Sequence, residues 1–262
     1  MDRRRELLPT RVDGLPALPT EYDAALDAGL AALPVSLTAA ARTAIDDHVR
    51  LLLAWNQAIN LTAITEPAKV ALLHVVDSLT ALPVVGVRRG SARLLDLGSG
   101  GGYPGIPIAA AVPDAEVALV ESIGKKARFL QAAIEVAHLG GRVTVVGARA
   151  ETLATPIRRG ELEPFDAVTA RAVGSLADLV ALAFPLLVDG GRLVAWKRGD
   201  MTAEIKAATL AALPLGGARI TIRSTAVPGL EGHVLVIIEK PAPRRPRASP
   251  RPPASRGRRT RC

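Results

Sequence analysis

From residue 92 onward the chain alternates short β-rich runs with stretches of helix length, and this alternation restricts the fold more than any other feature. The runs are ARLLDL (92–97), EVALVE (116–121), RVTVVG (142–147), FDAVTA (165–170), RLVAWK (192–197), ARITIR (218–223) and HVLVIIE (233–239). Strands that are apolar nearly throughout must be covered on both faces, and helical crossovers between the first five supply that cover in a parallel sheet. The last two runs are joined by STAVPGLEG, too short for a helical crossover and suited to an antiparallel hairpin. The expectation is an α/β fold: a doubly wound, mostly parallel seven-stranded Rossmann-like sheet closed by one reversed strand.

Ahead of the sheet the pattern is helical. Residues 21–33, EYDAALDAGLAAL, suit a short helix ended by Pro34. A stronger helix follows, with Ser36 or Thr38 as its cap and Ile45, Val49, Leu52 and Leu53 at helical spacing to about Trp55. A third has Pro67 in its first turn and runs to Pro83. Four segments result: a variable N-terminal piece (1–35), a helical region (36–83), the sheet domain (84–240) and a tail (241–262).

The tail carries the charge. The formal net charge is +8, but PAPRRPRASPRPPASRGRRTRC holds eight arginines and no acid; setting those aside leaves 25 basic against 25 acidic residues. The body is formally neutral, and a proline- and arginine-rich tail of this kind is expected to be disordered and able to meet phosphates nonspecifically. Cys262 is the only cysteine, so no disulfide framework, cysteine zinc site or embedded thiol nucleophile is expected, and no metal site. No run of about 18 uncharged apolar residues occurs, and MDRRRELLPTRVDG lacks the apolar segment of a signal peptide. A cytoplasmic protein without a membrane partner is the expectation.

The first strand hands over to its helix through LLDLGSGGGYPGIP (94–107), the place where open α/β sheets bind ligands. Two cofactor classes compete there: dinucleotides, whose diphosphate rests on the helix N-terminus, and S-adenosylmethionine, which has no phosphate. Counting from Gly98, Tyr103 takes the place of the third glycine of G-x-G-x-x-G, although the pattern recurs, displaced, at Gly100, Gly102 and Gly105. Pro104 and Pro107 remove amide donors that a diphosphate would need. Asp96 places a carboxylate that repels a diphosphate and favours a ligand ammonium group. Glu121, 23 residues past Gly98 at the end of the second strand, suits both hydroxyls of a ribose. These features favour S-adenosylmethionine.

The methyl acceptor is narrowed by what the chain lacks. Pyrimidine C5 methylation commonly needs a cysteine nucleophile, and exocyclic-amine methylation often uses an Asn/Asp-Pro-Pro-aromatic turn after the fourth strand, where this chain reads VTARAVGS. A neutral lone pair such as guanine N7 needs no proton removal, so no dedicated catalytic base is expected. Arg149, Arg171, Lys197 and Arg198 follow the third, fourth and fifth strands, where they can grip RNA phosphates or guanine acceptors.

The blocks WNQAINLTAI (55–64), LLHVVDSL (72–79), LLDLGSGGGYPGIPIA (94–109), ESIGKKARFL (121–130), ARAET (148–152), TARAVGSL (169–176) and AWKRG (195–199) together resemble the bacterial glucose-inhibited division protein B family. Its members are class I methyltransferases that act on guanine N7 of small-subunit ribosomal RNA with S-adenosylmethionine. The resemblance covers roughly residues 36–240 and implies cofactor contacts at Gly98, Tyr103, Ala150, Glu151 and Arg171, to which the loop reading adds Asp96, Gly100 and Glu121. It also implies the small subunit or its RNA as partner; the strand-end placement of Arg149, Lys197 and Arg198 makes them the expected RNA contacts, and a monomer is the expected form. His74 and Asp77 fit the family pattern, open to a structural or a functional reading, while Trp55 reads as an inter-helix anchor. A nicotinamide-dependent oxidoreductase, a methyltransferase with another acceptor and an RNA-binding assembly factor are the competing readings.

Overall fold

The computed structural model describes residues 8–85 and 92–242; the basic tail beyond 242 and the first seven residues lie outside this range. Seven strands form one sheet in the order β3-β2-β1-β4-β5-β7-β6. They are β1 (Arg93–Leu97), β2 (Glu116–Val120), β3 (Val143–Val146), β4 (Phe165–Arg171), β5 (Leu187–Arg198), β6 (Arg219–Ser224) and β7 (His233–Glu239). The first five pair in parallel, and β7 runs antiparallel to both β5 and β6. The strand pattern in the sequence is therefore borne out, with β5 starting earlier than expected, at Leu187.

Alternation along each strand sorts the core into two layers. Leu94, Ala167, Val194, Leu235 and Ile237 face one side, packed with the N-terminal helices and with helices Gly105–Ala111 and Gly124–Val136. Leu95, Leu97, Val168, Leu193 and Val236 face the other, under helices Leu176–Ala183 and Thr202–Ala212. The N-terminal helices thus share a core with one face of the sheet.

Local chemistry explains those helices. Thr38 caps helix Ala39–Asn56, its side chain accepting from the Ala41 amide at 3.1 Å. Asn56 closes the following turn, accepting from the Leu61 and Thr62 amides and donating to the Thr62 carbonyl. Trp55 is an anchor: it is buried edge-on against Phe129, and its indole N–H donates to the Pro9 carbonyl. Pro67–Val85 is long and apolar enough to cross a membrane by composition, yet it is a core helix here, with Val70, Val75, Val76 and Leu79 fully buried. A π-helical segment, Ala71–Val76, sits inside it, and such segments widen a helix locally and re-aim its side chains. No period in the sequence signals that feature.

Helix Thr20–Ala31 crosses Pro67–Val85 at Gly29, where an added Cβ would lie 2.5 Å from Val76 Cγ2. Gly29→Ala should therefore cost about 1–3 kcal/mol through overpacking and lower the thermal midpoint by roughly 2–4 °C per kcal/mol. Val76→Ala in the same chain should recover most of the loss. An unchanged midpoint in the single variant would rule out this close crossing.

Candidate active site

The same alternation that builds the core aligns the polar side chains. Asp96 on β1, Thr169 and Arg171 on β4, Trp196 on β5 and His233 on β7 share parity with Leu94, Ala167, Val194 and Leu235, so all face the helical layer, the first four at or near the carboxyl ends of their strands and His233 at the amino end of the antiparallel β7. β1 lies between β2 and β4, so its end is the point where strand order reverses.

Asp96 corrects one expectation. Instead of facing a ligand ammonium group its carboxylate is 1% exposed, accepting from the Gly105 amide (3.2 Å) and the Thr169 hydroxyl (2.7 Å). Burial raises its pKa to about 6, against the lowering effect of those hydrogen bonds. The physical reason is parity: position 96 points under the helix that the glycine loop starts, and the carboxylate takes an amide at that helix's first turn. The other donors there are gone as well. Pro104 and Pro107 have no N–H, and the Ile106 amide donates to the Gly102 carbonyl at 2.8 Å. No amide from 104 to 107 is left for a diphosphate, which removes the dinucleotide reading.

Glu121 at the end of β2 holds the loop from the side. One oxygen accepts from the Gly100 amide at 3.0 Å, the other from the Ile123 amide at 2.8 Å. Each retains a second lone pair. With Gly98, Arg149, Ala150 and Glu151 the carboxylate lines a cavity of about 330 Å³. Gly98 and Gly100 take φ of +65° and +54°, and a Cβ on Gly98 would come within 2.8 Å of Val173 Cγ2. This cavity offers acceptor carboxylates and an open glycine loop without a phosphate cradle, which suits the adenosine of S-adenosylmethionine.

Gly98 also borders a larger cavity of about 660 Å³, together with Tyr103, His74, Arg171, Arg198 and Lys126. Arg171 reaches across from β4 to the Pro67–Val85 helix, donating to the Leu73 carbonyl at 3.0 Å and lying 3.4 Å from Asp77 Oδ2. The other Asp77 oxygen is 3.2 Å from His233 Nδ1, and the Trp196 indole donates to the Asp77 carbonyl at 2.8 Å. His74 stacks on Tyr103 with ring centroids 4.6 Å apart, and the Arg171 guanidinium lies 5.3 Å from the same ring. Burial, then the charge of Arg171, lowers the His74 pKa to about 3. The ring is therefore neutral: Nδ1 accepts from Arg171 Nη2 (3.4 Å), leaving Nε2–H to donate to the Thr62 hydroxyl (2.7 Å). Burial also raises the Tyr103 hydroxyl, whose oxygen is buried without a hydrogen-bond partner.

The expected cations separate. Arg198 lines the rim of the larger cavity and Arg149 that of the smaller. Lys197 is a second correction: its ammonium lies 2.7 Å from Glu204 and donates to the Gly174 carbonyl at 3.0 Å, which ties β5 to helix Thr202–Ala212 instead of leaving a charge for phosphate. Lys126, Thr169, Trp196 and His233 were not anticipated. Strand parity was the available signal for Thr169, two before Arg171, and for His233, two before Leu235; nothing local marks Lys126.

A glycine loop whose following helical turn has no free amide for phosphate, an acid ending β2 and a reversed seventh strand define a class I S-adenosylmethionine-dependent methyltransferase. The solved O-methyltransferase of Bacillus cereus in complex with SAH has this fold, with a TM-score of 0.52 over 74% of this chain and 91% of its own at 21% identity. Residues 42–227 match the family model GidB, rRNA small subunit methyltransferase G, and this chain belongs to that family. Ribosomal RNA small subunit methyltransferase G of Roseiflexus castenholzii (strain DSM 13941 / HLO8) is 44% identical over 201 residues, 76% of this chain and 83% of its own. The protein of the same name from Xanthomonas axonopodis pv. citri (strain 306) is 40% identical over 223 residues, 84% and 97% of the two chains. The resemblance carried by the sequence motifs is borne out.

Asp96 gives a pH prediction. Its folded value near 6 lies above the ordinary ~3.9, so the folded state binds the proton more tightly, and this group's contribution falls as pH rises from about 4 to 6 and is flat above. The loss is on the order of 3 kcal/mol. Buried His48 and His74, with lowered pKa values, act in the opposite sense, so the informative comparison is with Asp96→Asn. Urea unfolding at pH 4.5 and 7 should show wild type losing stability relative to that variant; parallel profiles would contradict the assignment.

Proposed function

We propose that this chain transfers the methyl group of S-adenosylmethionine to N7 of a guanine in small-subunit (16S) ribosomal RNA, acting in the cytoplasm on the small subunit or its RNA. The carrying observation is the lining of the larger cavity. Its one carboxylate, Asp77, is engaged by Arg171 and His233, and its histidine on the helical side, His74, is held neutral with both ring nitrogens hydrogen-bonded. Arg198 and Lys126 contribute donors only. Such a lining suits an acceptor-rich ligand edge, and guanine presents N7 and O6 side by side in this way. N7 attacks with its own lone pair, so positioning within the cavity replaces proton removal.

The bound cofactor supplies an electrophilic methyl on a positively charged sulfur. Glu121 would accept from the ribose hydroxyls, Ala150 and Glu151 would border the base, and the Gly98–Gly100 backbone would let the ligand approach closely. Tyr103 and Arg171 form the boundary with the acceptor, Tyr103 held by the His74 stack and Arg171 by Asp77. Asp96 acts from beneath, by fixing the Gly105 amide and thus the course of the loop. Arg149 and Arg198, at the two rims, meet RNA phosphates.

The decisive test is labelled methyl transfer to unmethylated small subunits, their naked RNA and large-subunit RNA, followed by chemical cleavage at N7-methylguanine. Label at one guanine N7 of small-subunit RNA is expected; label on another atom or in large-subunit RNA alone would overturn the reading. Gly98→Val should abolish S-adenosylmethionine binding, because it adds a β-branched side chain at positive φ beside Val173. Glu121→Gln, which loses one of the two amide-accepting oxygens, should weaken binding roughly tenfold with a small change in thermal midpoint. Retained affinity in both, measured calorimetrically, would refute this placement of the cofactor.

A further inference from the structure

Behind the wall of the acceptor cavity lies a second one that the methyl-transfer reading leaves without a role. It measures about 320 Å³, and Asp77, Trp196 and His233 line both. One layer of side chains therefore separates the two spaces. The floor of the second cavity continues the sheet outward along a single cross-strand row: Trp196 on β5 pairs with Leu235 on β7, which pairs with Arg223 on β6. Paired residues point to the same face, and two strand spacings place the Arg223 backbone about 10 Å from that of Trp196. Both cavities open along the same edge of the sheet, where β5 and β6 end and β7 begins.

The polar groups here mostly donate. Arg219 on the same strand pairs with Glu239 at 3.9 Å, whereas Arg223 is exposed and has no ion-pair partner among the described residues. Thr225 accepts from the Val227 amide while keeping its hydroxyl proton free. Asp77 is the only carboxylate in the lining, and Arg171 and His233 take its two oxygens. Leu33, Pro34 and Pro83 are part of its apolar lining. A donor-rich end beside an apolar wall matches a ligand with an anionic, acceptor-rich part and a flat apolar part, and the volume lies at the lower end of small-ligand sites.

We infer that this cavity is a subsite for one nucleotide of the RNA strand next to the target guanine, its phosphate on Arg223 and Thr225 and its base against Leu33, Pro34 and Pro83. Single-stranded RNA is recognised by splaying neighbouring bases into separate pockets, and two cavities divided by one layer of side chains provide that geometry. The inference rests on the RNA-methyltransferase reading above and adds to it the place where sequence or shape beside the target is sensed.

The test uses Arg223→Ala and Pro34→Trp, both at exposed positions, the second crowding the cavity. Kinetics of methyl transfer to small subunits and to protein-free small-subunit RNA are read beside S-adenosylmethionine affinity, which should not change. Arg223→Ala should raise KM roughly tenfold and flatten the dependence of log KM on log salt by about 0.7, the loss of one phosphate contact with a single strand. Pro34→Trp should raise KM with the salt slope kept. Unchanged KM and slope in both variants, with wild-type transfer intact, would overturn the subsite alone. A KM effect on particles but not on protein-free RNA would assign the cavity to a ribosomal protein and overturn the nucleotide reading. No transfer to any RNA by the wild type would remove the function itself.

Discussion

The hydrogen bonds of one buried carboxylate underlie the architecture of the site. Asp96 joins three elements at once: its own strand β1, the Thr169 hydroxyl on β4 and the Gly105 amide at the start of the following helix. A carboxylate out of water costs free energy unless its lone pairs are filled, so these partners are required, not incidental. Filling them fixes where the helix begins relative to the two central strands. The intervening residues must then turn back sharply, and glycines at positive φ are what permit that turn. The loop's inability to bind a diphosphate has the same origin, since a protein side chain already holds an amide that phosphate would have used.

Much of the fold was legible because the strands are short, apolar and punctuated, and because a nine-residue link between the last two leaves only a hairpin. The loop was legible for a similar reason: proline and glycine act locally, and their consequences for amide donors can be counted without coordinates. What escaped were orientations. Asp96 reads as a ligand contact in sequence because nothing there says on which side of the sheet position 96 falls relative to the loop above it. Lys197 reads as a free cation because Glu204, its partner, sits on a helix whose docking is set by the second core layer. His233 is silent in sequence, being the first residue of a strand; only pairing with Arg198 on β5 brings it to Asp77.

The helical layer has a part beyond covering the sheet. Arg171 lies on β4, but its hydrogen bonds go to the Pro67–Val85 helix, and His233 and Trp196 meet the same helix through Asp77. The π-helical segment Ala71–Val76 ends immediately before that aspartate and contains His74, so the local widening falls where the helix meets the sheet's polar side chains. Three strands thus converge on a single aspartate of the helix, two on its carboxylate and β5 on its backbone carbonyl. Its negative charge is compensated by Arg171 and faces His233, an arrangement that keeps Arg171 in place without leaving a free base beside the acceptor.

Gly98, which borders both the smaller and the larger cavity, bears on thermodynamics as well as on shape. Ligands placed in the two cavities as proposed would have no side chain of residue 98 between them, only a peptide backbone held at an uncommon dihedral angle. A ligand that shifts or stiffens this backbone does so for its neighbour too, and binding free energies are linked. Whatever factor the cofactor imposes on RNA affinity through Gly98, RNA must return to the cofactor in equal measure. Saturation of one site and affinity at the other are therefore a single quantity read from two sides.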